Sequence, residues 1–184
     1  MINNKDLTGL SKFLSLVLRH NPKLIGIELD QQGWTNVEML IKKMNEFGKA
    51  IDLLTLEKVV SSDNKKRYVF DSTGEKIRAS QGHSIEIDLG YEPKIPPDHL
   101  YHGTATRFVE SILKSGLQKQ GRHHVHLSPN VKTAIQVGQR HGKPAVFEVD
   151  SKKMHEQGTN FYLSDNGVWL TDEVPVEFLR KLSK

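Results

Sequence analysis

The sequence predicts an α+β protein in two lobes, and three observations carry that expectation. Apolar residues at helical spacing fill the first half and give way to a hairpin pattern. Tyr91-Glu92-Pro93-Lys94-Ile95-Pro96-Pro97 then places three prolines in a short span, which breaks regular structure and marks a boundary. Beyond it, short strand patterns alternate with helical ones. The expected division is a first lobe over 1–92, a linker at about 93–97 and a second lobe over 98–184.

Leu7, Leu10, Phe13, Leu14, Val17 and Leu18 form one apolar stripe of a first helix. Asn21-Pro22 must end it, because proline restricts the residue before it, so Arg19 and His20 fall in its last turn. A second helix is expected to open at Thr35, with Glu38 completing a capping box. Its stripe is Val37, Leu40, Ile41 and Met44, and Gly48 serves as its C-terminal cap. A third helix runs from about Leu53 to Ser61 with Leu56, Val59 and Val60 inward. Arg67-Tyr68-Val69-Phe70 and Lys76-Ile77-Arg78-Ala79 are the strands of a hairpin turning at Ser72-Thr73-Gly74. Three helices closed by a hairpin suggest a winged helix, a helix-turn-helix variant that often meets nucleic acid.

In the second lobe a strand at Leu100–His102 leads to a helix from Thr106 to Ser115 that stops at Gly116. A strand at Val125–Leu127 leads to a helix capped by Ser128, with Pro129 at its first position, ending near Gly142. Strands follow at Ala145–Val149, Phe161–Leu163 and Val168–Leu170, the last two joined by the tight-turn residues Asp165-Asn166-Gly167.

Composition excludes several kinds of chemistry. The 184 residues contain no cysteine, which removes disulfides, thiolate nucleophiles and Cys-based zinc sites and fits a reducing compartment. The polar start Met1-Ile2-Asn3-Asn4-Lys5-Asp6 is no signal peptide, and no apolar run is long enough to span a bilayer. A cytoplasmic monomer with no membrane partner is expected. A net charge of +4 favours a polyanionic partner only modestly.

The chemistry-bearing residues concentrate in two short strands, Leu100-Tyr101-His102-Gly103-Thr104 and Arg122-His123-His124-Val125-His126-Leu127-Ser128. Strands are usually depleted in such residues, so these are expected to line a site. His, Thr and Ser offer directional hydrogen bonds, Arg122 a fork for phosphate, and Gly103 close approach of a ligand to the backbone. In the first lobe Arg19 and His20, taken by themselves, are better explained as cations that complement a helix dipole. Arg67 fits an edge strand, and Lys65-Lys66 a charged guard of that edge. Together, however, they offer cations that a winged helix can bring near one another. His123, His124 and His126 lack HExxH, cysteine or a nearby carboxylate, so no metal site is expected. GxGxxG, GxxxxGK[ST] and GxSxG are all missing, which removes the Rossmann, P-loop and serine-hydrolase schemes.

Five blocks carry a resemblance. Leu10-Ser11-Lys12-Phe13-Leu14-Ser15-Leu16-Val17-Leu18-Arg19-His20, Gln81-Gly82-His83-Ser84, His102-Gly103-Thr104, Arg122 with His124-Val125-His126-Leu127-Ser128, and Asn166-Gly167-Val168-Trp169-Leu170 resemble, in order, the NAD-dependent RNA 2′-phosphotransferases of bacterial type. They span nearly the whole chain. The resemblance implies an RNA-binding winged-helix lobe followed by an ADP-ribosyltransferase-like lobe that holds NAD. It implies a transferase of tRNA processing that moves an internal, splice-junction RNA 2′-phosphate to NAD through a 2′-phospho-ADP-ribosylated RNA. The products would be 2′-OH RNA, nicotinamide and ADP-ribose 1″,2″-cyclic phosphate. Catalytic roles are implied for Arg19, His20, Arg67 and Arg122, and RNA contacts for Arg19, His20, Lys65 and Arg67. NAD contacts are implied for His102, Gly103, Thr104, His126, Leu127 and Ser128, with NAD as co-substrate and no metal.

The residue types agree with such a reaction. A phosphate is already anionic at neutral pH, so attack on NAD needs positioning more than a base. Guanidinium groups suit the charge that grows on phosphoryl oxygens. An ADP-ribosyltransferase acting on nucleic-acid phosphate ends or on protein is the alternative, but it needs no Arg19-His20-Arg67 cluster. A winged-helix DNA-binding regulator would need base-reading residues on its recognition helix, where Leu53–Ser61 offers mostly Leu, Val and Glu.

Overall fold

The computed structural model describes residues 4–182, and among them the architecture is α+β. The chain divides into two compact units, one up to Gly90 and one from Tyr91 onward.

In the first unit, helix α1 (Asn4–Arg19) buries the expected apolar stripe; Leu14, Val17 and Leu18 are fully inaccessible. His20 and Asn21 both donate their backbone N–H to Leu16 O, closing the last turn just before Pro22. Strand β1 (Thr35–Asn36) precedes α2 (Val37–Glu46), and α3 (Leu53–Ser61) follows. Strands β2 (Tyr68–Phe70) and β3 (Lys76–Ala79) form the hairpin. The antiparallel sheet runs β1-β3-β2, with Thr35 opposite Ile77 and Tyr68 opposite Ala79.

Thr35 is therefore not the cap of α2. Its backbone is held extended by pairing with β3, so the helix can turn only afterwards, and Asn36 caps it by accepting from Met39 N at 2.9 Å. Asp52 caps α3 in the same manner, from Thr55 N at 2.8 Å. Gly48 ends α2 at φ +81°, in the left-handed region where glycine carries no Cβ penalty. Leu40, Met44, Leu56 and Ile77 complete the core with α1.

The second unit is built on strand β4 (His99–Ala105), longer at both ends than its sequence pattern suggests. Helix α4 (Val109–Ser115), entered through a 3-10 turn at Thr106–Phe108, leads to β5 (Leu117–Gln118) and β6 (Val125–Leu127). Next come α5 (Val131–Gln139), β7 (Pro144–Asp150), α6 (Ser151–Glu156), β8 (Tyr162–Leu163) and β9 (Trp169–Thr171). Strands β10 (Glu173–Val174) and β11 (Leu179–Lys181) end the described chain. Three antiparallel sheets result, ordered β11-β7-β4, β6-β9-β8 and β10-β5.

Ser128 does not cap the helix after it. Its N–H and C=O both pair with Tyr101, at 2.7 and 2.9 Å, which keeps it extended. Asn130 caps α5 instead, accepting from Thr133 N at 2.9 Å. The proline-rich segment is fastened to the second unit. Pro93 bridges Tyr162, Lys94 N donates to Phe161 O at 2.8 Å, and Tyr91 Oη donates to Asp165 at 3.1 Å.

Phe147, Phe161, Leu100 and Met154 form the centre of the second core. Among the described residues no helix is long and apolar enough to cross a membrane.

Candidate active site

In the first unit, the end of α1 brings three of the expected residues together. Arg19 Nη2 donates to Arg67 O at 3.4 Å, while Arg19 O accepts from Ser84 N at 3.0 Å. His20 Nδ1 lies 2.9 Å from Ser84 Oγ, which orients the imidazole on an otherwise exposed ring. The loop that carries Ser84 is thus stitched to the helix end by a backbone and a side-chain bond.

Arg67 is set by Asp63. The carboxylate accepts from Arg67 Nη1 and, at 2.8 Å, from Arg67 N. The Asp63 side chain is 6% exposed, so its charge is screened from water and answered by the guanidinium. Lys65 N donates to the same carboxylate at 3.3 Å, and Lys65 itself stays on the exposed turn. Ser80 completes the frame by donating N–H to Arg67 O at 2.8 Å and Oγ–H to Lys66 O at 2.9 Å. This cluster presents two guanidiniums and an imidazole on a fixed backbone, an arrangement suited to a phosphate dianion.

In the second unit, β4 and the end of β6 are joined at Tyr101 and Ser128. That join sets His102 beside His126, whose backbone carbonyl lies 3.1 Å from His102 Nδ1. A carbonyl only accepts, so Nδ1 carries the proton and Nε2 is left as an acceptor. Burial disfavours the imidazolium and holds His102 below its ordinary value of 6.5. The His126 carbonyl opposes that shift, and the charges of Arg122 and His141 add to it. His102 is accordingly a neutral acceptor at pH 7. Arg122 is exposed, and its Nη1 donates to His126 Nδ1 at 3.3 Å.

Three of the residues read as cofactor contacts serve the fold as well. Leu127 is 1% exposed, packs in the core and pairs with Trp169 of β9. Thr104 is 7% exposed. Gly103 was expected to open the backbone to a ligand, but a Cβ there would sit 1.7 Å from Ala134 O on α5. Glycine at 103 lets α5 lie against β4, and Gly138 does the same from the other side, with Thr104 O at 2.6 Å from its would-be Cβ.

His124 rests near the Tyr162 ring, centroids 5.6 Å apart. Among the described residues no three His, Asp or Glu side chains converge as a metal-binding set.

A family model described as RNA 2′-phosphotransferase, Tpt1 / KptA family, matches residues 4–173. The chain belongs to the RNA 2′-phosphotransferase family. Among its relatives is a probable RNA 2′-phosphotransferase of Nostoc punctiforme, 51% identical over 181 residues, covering 98% of this chain and all of the relative. One from Agrobacterium fabrum is 53% identical over 172 residues, covering 94% and 92%. One from Pseudomonas aeruginosa is 46% identical over 181 residues, covering 98% and 100%. The family is thus one of transferases, and both groups of side chains fall within the matched stretch.

For this RNA 2′-phosphotransferase family member, the positioning partners of the cluster are what residue reading missed. Asp63 lay in a polar turn with no signal of its own. Ser84 stood inside a noticed block, yet only the fold brings it to His20.

Proposed function

We propose that the chain removes a 2′-phosphate from RNA by transferring it to NAD, giving 2′-OH RNA, nicotinamide and ADP-ribose 1″,2″-cyclic phosphate. The observation that carries this reading is the Arg19–His20–Arg67 cluster, framed by Asp63 and Ser84, in a chain of this family. Arg19, His20, Lys65 and Arg67 hold the RNA and its 2′-phosphate. The three helices and small sheet of the first unit support a winged-helix assignment, and the second unit is assigned as an ADP-ribosyltransferase-like lobe for NAD. There the neutral His102 offers an acceptor for a sugar hydroxyl, Ser128 and Thr104 lie on the two joined strands, and Arg122 supplies a cation for the reacting phosphate. The protein acts as a cytoplasmic monomer in this reading.

Bond making and breaking balance without a further reagent. A 2′-phosphate oxygen attacks C1″ of NAD and nicotinamide leaves with its bonding pair. The ribose 2″-hydroxyl then attacks the same phosphorus. Its proton ends on the RNA 2′-oxygen, whose bond to phosphorus breaks. Charge develops on the phosphoryl oxygens chiefly in the second step, the kind of charge that guanidinium groups such as Arg19, Arg67 and Arg122 stabilise.

Incubation with labelled NAD and a 2′-phosphorylated RNA tests the proposal. Nicotinamide and cyclic-phosphate product should appear together, depend on NAD and persist in excess EDTA. Release of inorganic phosphate without NAD would identify an ordinary phosphatase and overturn it.

A pH dependence follows from His102. Its folded-state value lies below 6.5, so the unfolded chain takes up this proton first as pH falls. The contribution to stability is complete above 6.5 and is lost as pH drops through the folded value. Protonation also converts the Nε2 acceptor to a donor, so KM for NAD should rise over the same range. His102→Gln, which keeps a hydrogen-bonding side chain without titrating there, should flatten that rise. An equal rise in the variant would remove His102 as its source.

A further inference from the structure

A cleft of about 610 Å³ opens beside the phosphate cluster of the first unit, and none of the implied roles except that of Arg67 accounts for it. One wall is the face of α1 that carries Thr8, Ser11, Lys12 and Ser15; the other includes Asp63 and Arg67. Thr8, Lys12, Ser15 and Arg19 follow one another at spacings of four, three and four, so they form a single polar stripe leading along the helix to Arg19. Lys12 stands about 10.5 Å before Arg19 at 1.5 Å per residue. The cleft is therefore a continuation of the cluster, reached along the same helix face.

Its chemistry is specific. Arg67 answers the Asp63 carboxylate, which leaves Lys12 as the cation of the α1 wall. Tyr68, 4% exposed, donates its hydroxyl proton to Ser11 O and so can only accept from Ser15 Oγ, 2.8 Å away. Ser15, which lines the cleft, thereby spends its own proton on Tyr68 and keeps lone pairs with which to accept. A cation beside a pre-set acceptor matches a phosphodiester beside a ribose 2′-hydroxyl, the group that separates RNA from DNA.

We propose that this cleft seats the ribose-phosphate of a nucleotide flanking the 2′-phosphorylated one, with Lys12 on its phosphodiester and Ser15 accepting from its 2′-hydroxyl. The assignment rests on the RNA reading of the first unit. It makes Lys12 and Ser15 substrate-binding residues that favour an internal 2′-phosphate in an RNA chain over an isolated nucleotide.

The test is binding of the full-length protein to a labelled 2′-phosphorylated RNA oligonucleotide across a salt series, with turnover followed in parallel. Lys12→Ala should reduce the slope of log affinity against log salt by about 0.7, the loss of one single-strand phosphate contact. Lys12→Arg should restore it, and Lys23→Ala, an exposed cation outside the cleft, should leave it unchanged. A single 2′-deoxy substitution at the flanking nucleotide should weaken wild-type binding by about fivefold, one hydrogen bond's worth, and should have no effect on Ser15→Ala. RNA binding with equal slopes for Lys12→Ala and Lys23→Ala, or with no 2′-deoxy effect at any flanking position, overturns the assignment while leaving the proposed reaction intact. The expected slopes without any NAD-dependent product overturn the reaction and keep the cleft as an RNA site. Failure of the wild type to bind the RNA overturns both.

Discussion

Arg67→Ala is expected to lower turnover by about 2–4 kcal/mol of transition-state stabilisation, roughly thirty- to a thousandfold, and to leave RNA joined to ADP-ribose as a slower-migrating species. The reason lies in when charge is greatest. In the first step of the proposed reaction the phosphate is only a nucleophile, and much of the work would be holding NAD. In the second it becomes five-coordinate, and its oxygens need a cation most. Arg67 is fixed by Asp63 through its backbone N–H and its guanidinium, so in that reaction it would meet the charge with little reorganisation. The same pair complicates the single variant, because removing the guanidinium leaves a carboxylate that is 6% exposed here without its countercharge, held by the backbone N–H groups of residues 65 and 67. Asp63→Asn with Arg67→Ala removes that penalty. It should recover stability relative to Arg67→Ala alone and still accumulate the intermediate. Equal loss of nicotinamide release and final product in the double variant, with no intermediate on a gel, would show that Arg67 acts before the second step.

Gly103→Val should unfold or severely destabilise the second unit, whatever NAD does. Overpacking ordinarily costs about 1–3 kcal/mol. Here the obstruction is backbone, Ala134 O at 1.7 Å from the first added carbon, so no side-chain rotation relieves it. Gly103→Ala should already lower Tm by about 10 °C, since a small domain loses about 4–8 °C per kcal/mol. Gly121→Ala, with open space around the added carbon, should scarcely move it. A Gly103→Ala protein of unchanged Tm and lost NAD affinity would return the glycine to a ligand-facing role.

These two positions show what kinds of information a linear reading carries. The apolar stripes of α1, α2 and α3 were legible because helical periodicity is a property of spacing alone, and Leu7, Leu10, Leu14, Val17 and Leu18 are buried with Phe13 packed partly against them. The end of α1 at Arg19 followed from Pro22, a covalent constraint. Thr35 and Ser128 misled for one shared reason. Each has good capping chemistry, but each has its backbone recruited by a strand distant in sequence, Thr35 by Ile77 and Ser128 by Tyr101. Strands β1, β5 and β10, of two residues each, are too short to show alternation.

By itself the sequence determined the α+β class, the helix cores, the absence of thiol chemistry and the family, because these depend on composition, periodicity and ordered blocks. It also named Arg19, His20, Arg67, His102 and Arg122 as chemistry-bearing. Only the tertiary structure decided how they are held. It set Asp63 on Arg67, Ser84 on His20 and the His126 carbonyl on His102. It turned Gly103 from an opening into a packing contact, and it joined Lys12 and Ser15 to the cluster through a shared cleft. The physical reason is that a side chain's partner, burial and protonation depend on residues brought near by strand pairing and core packing, and such distances are not written in local spacing.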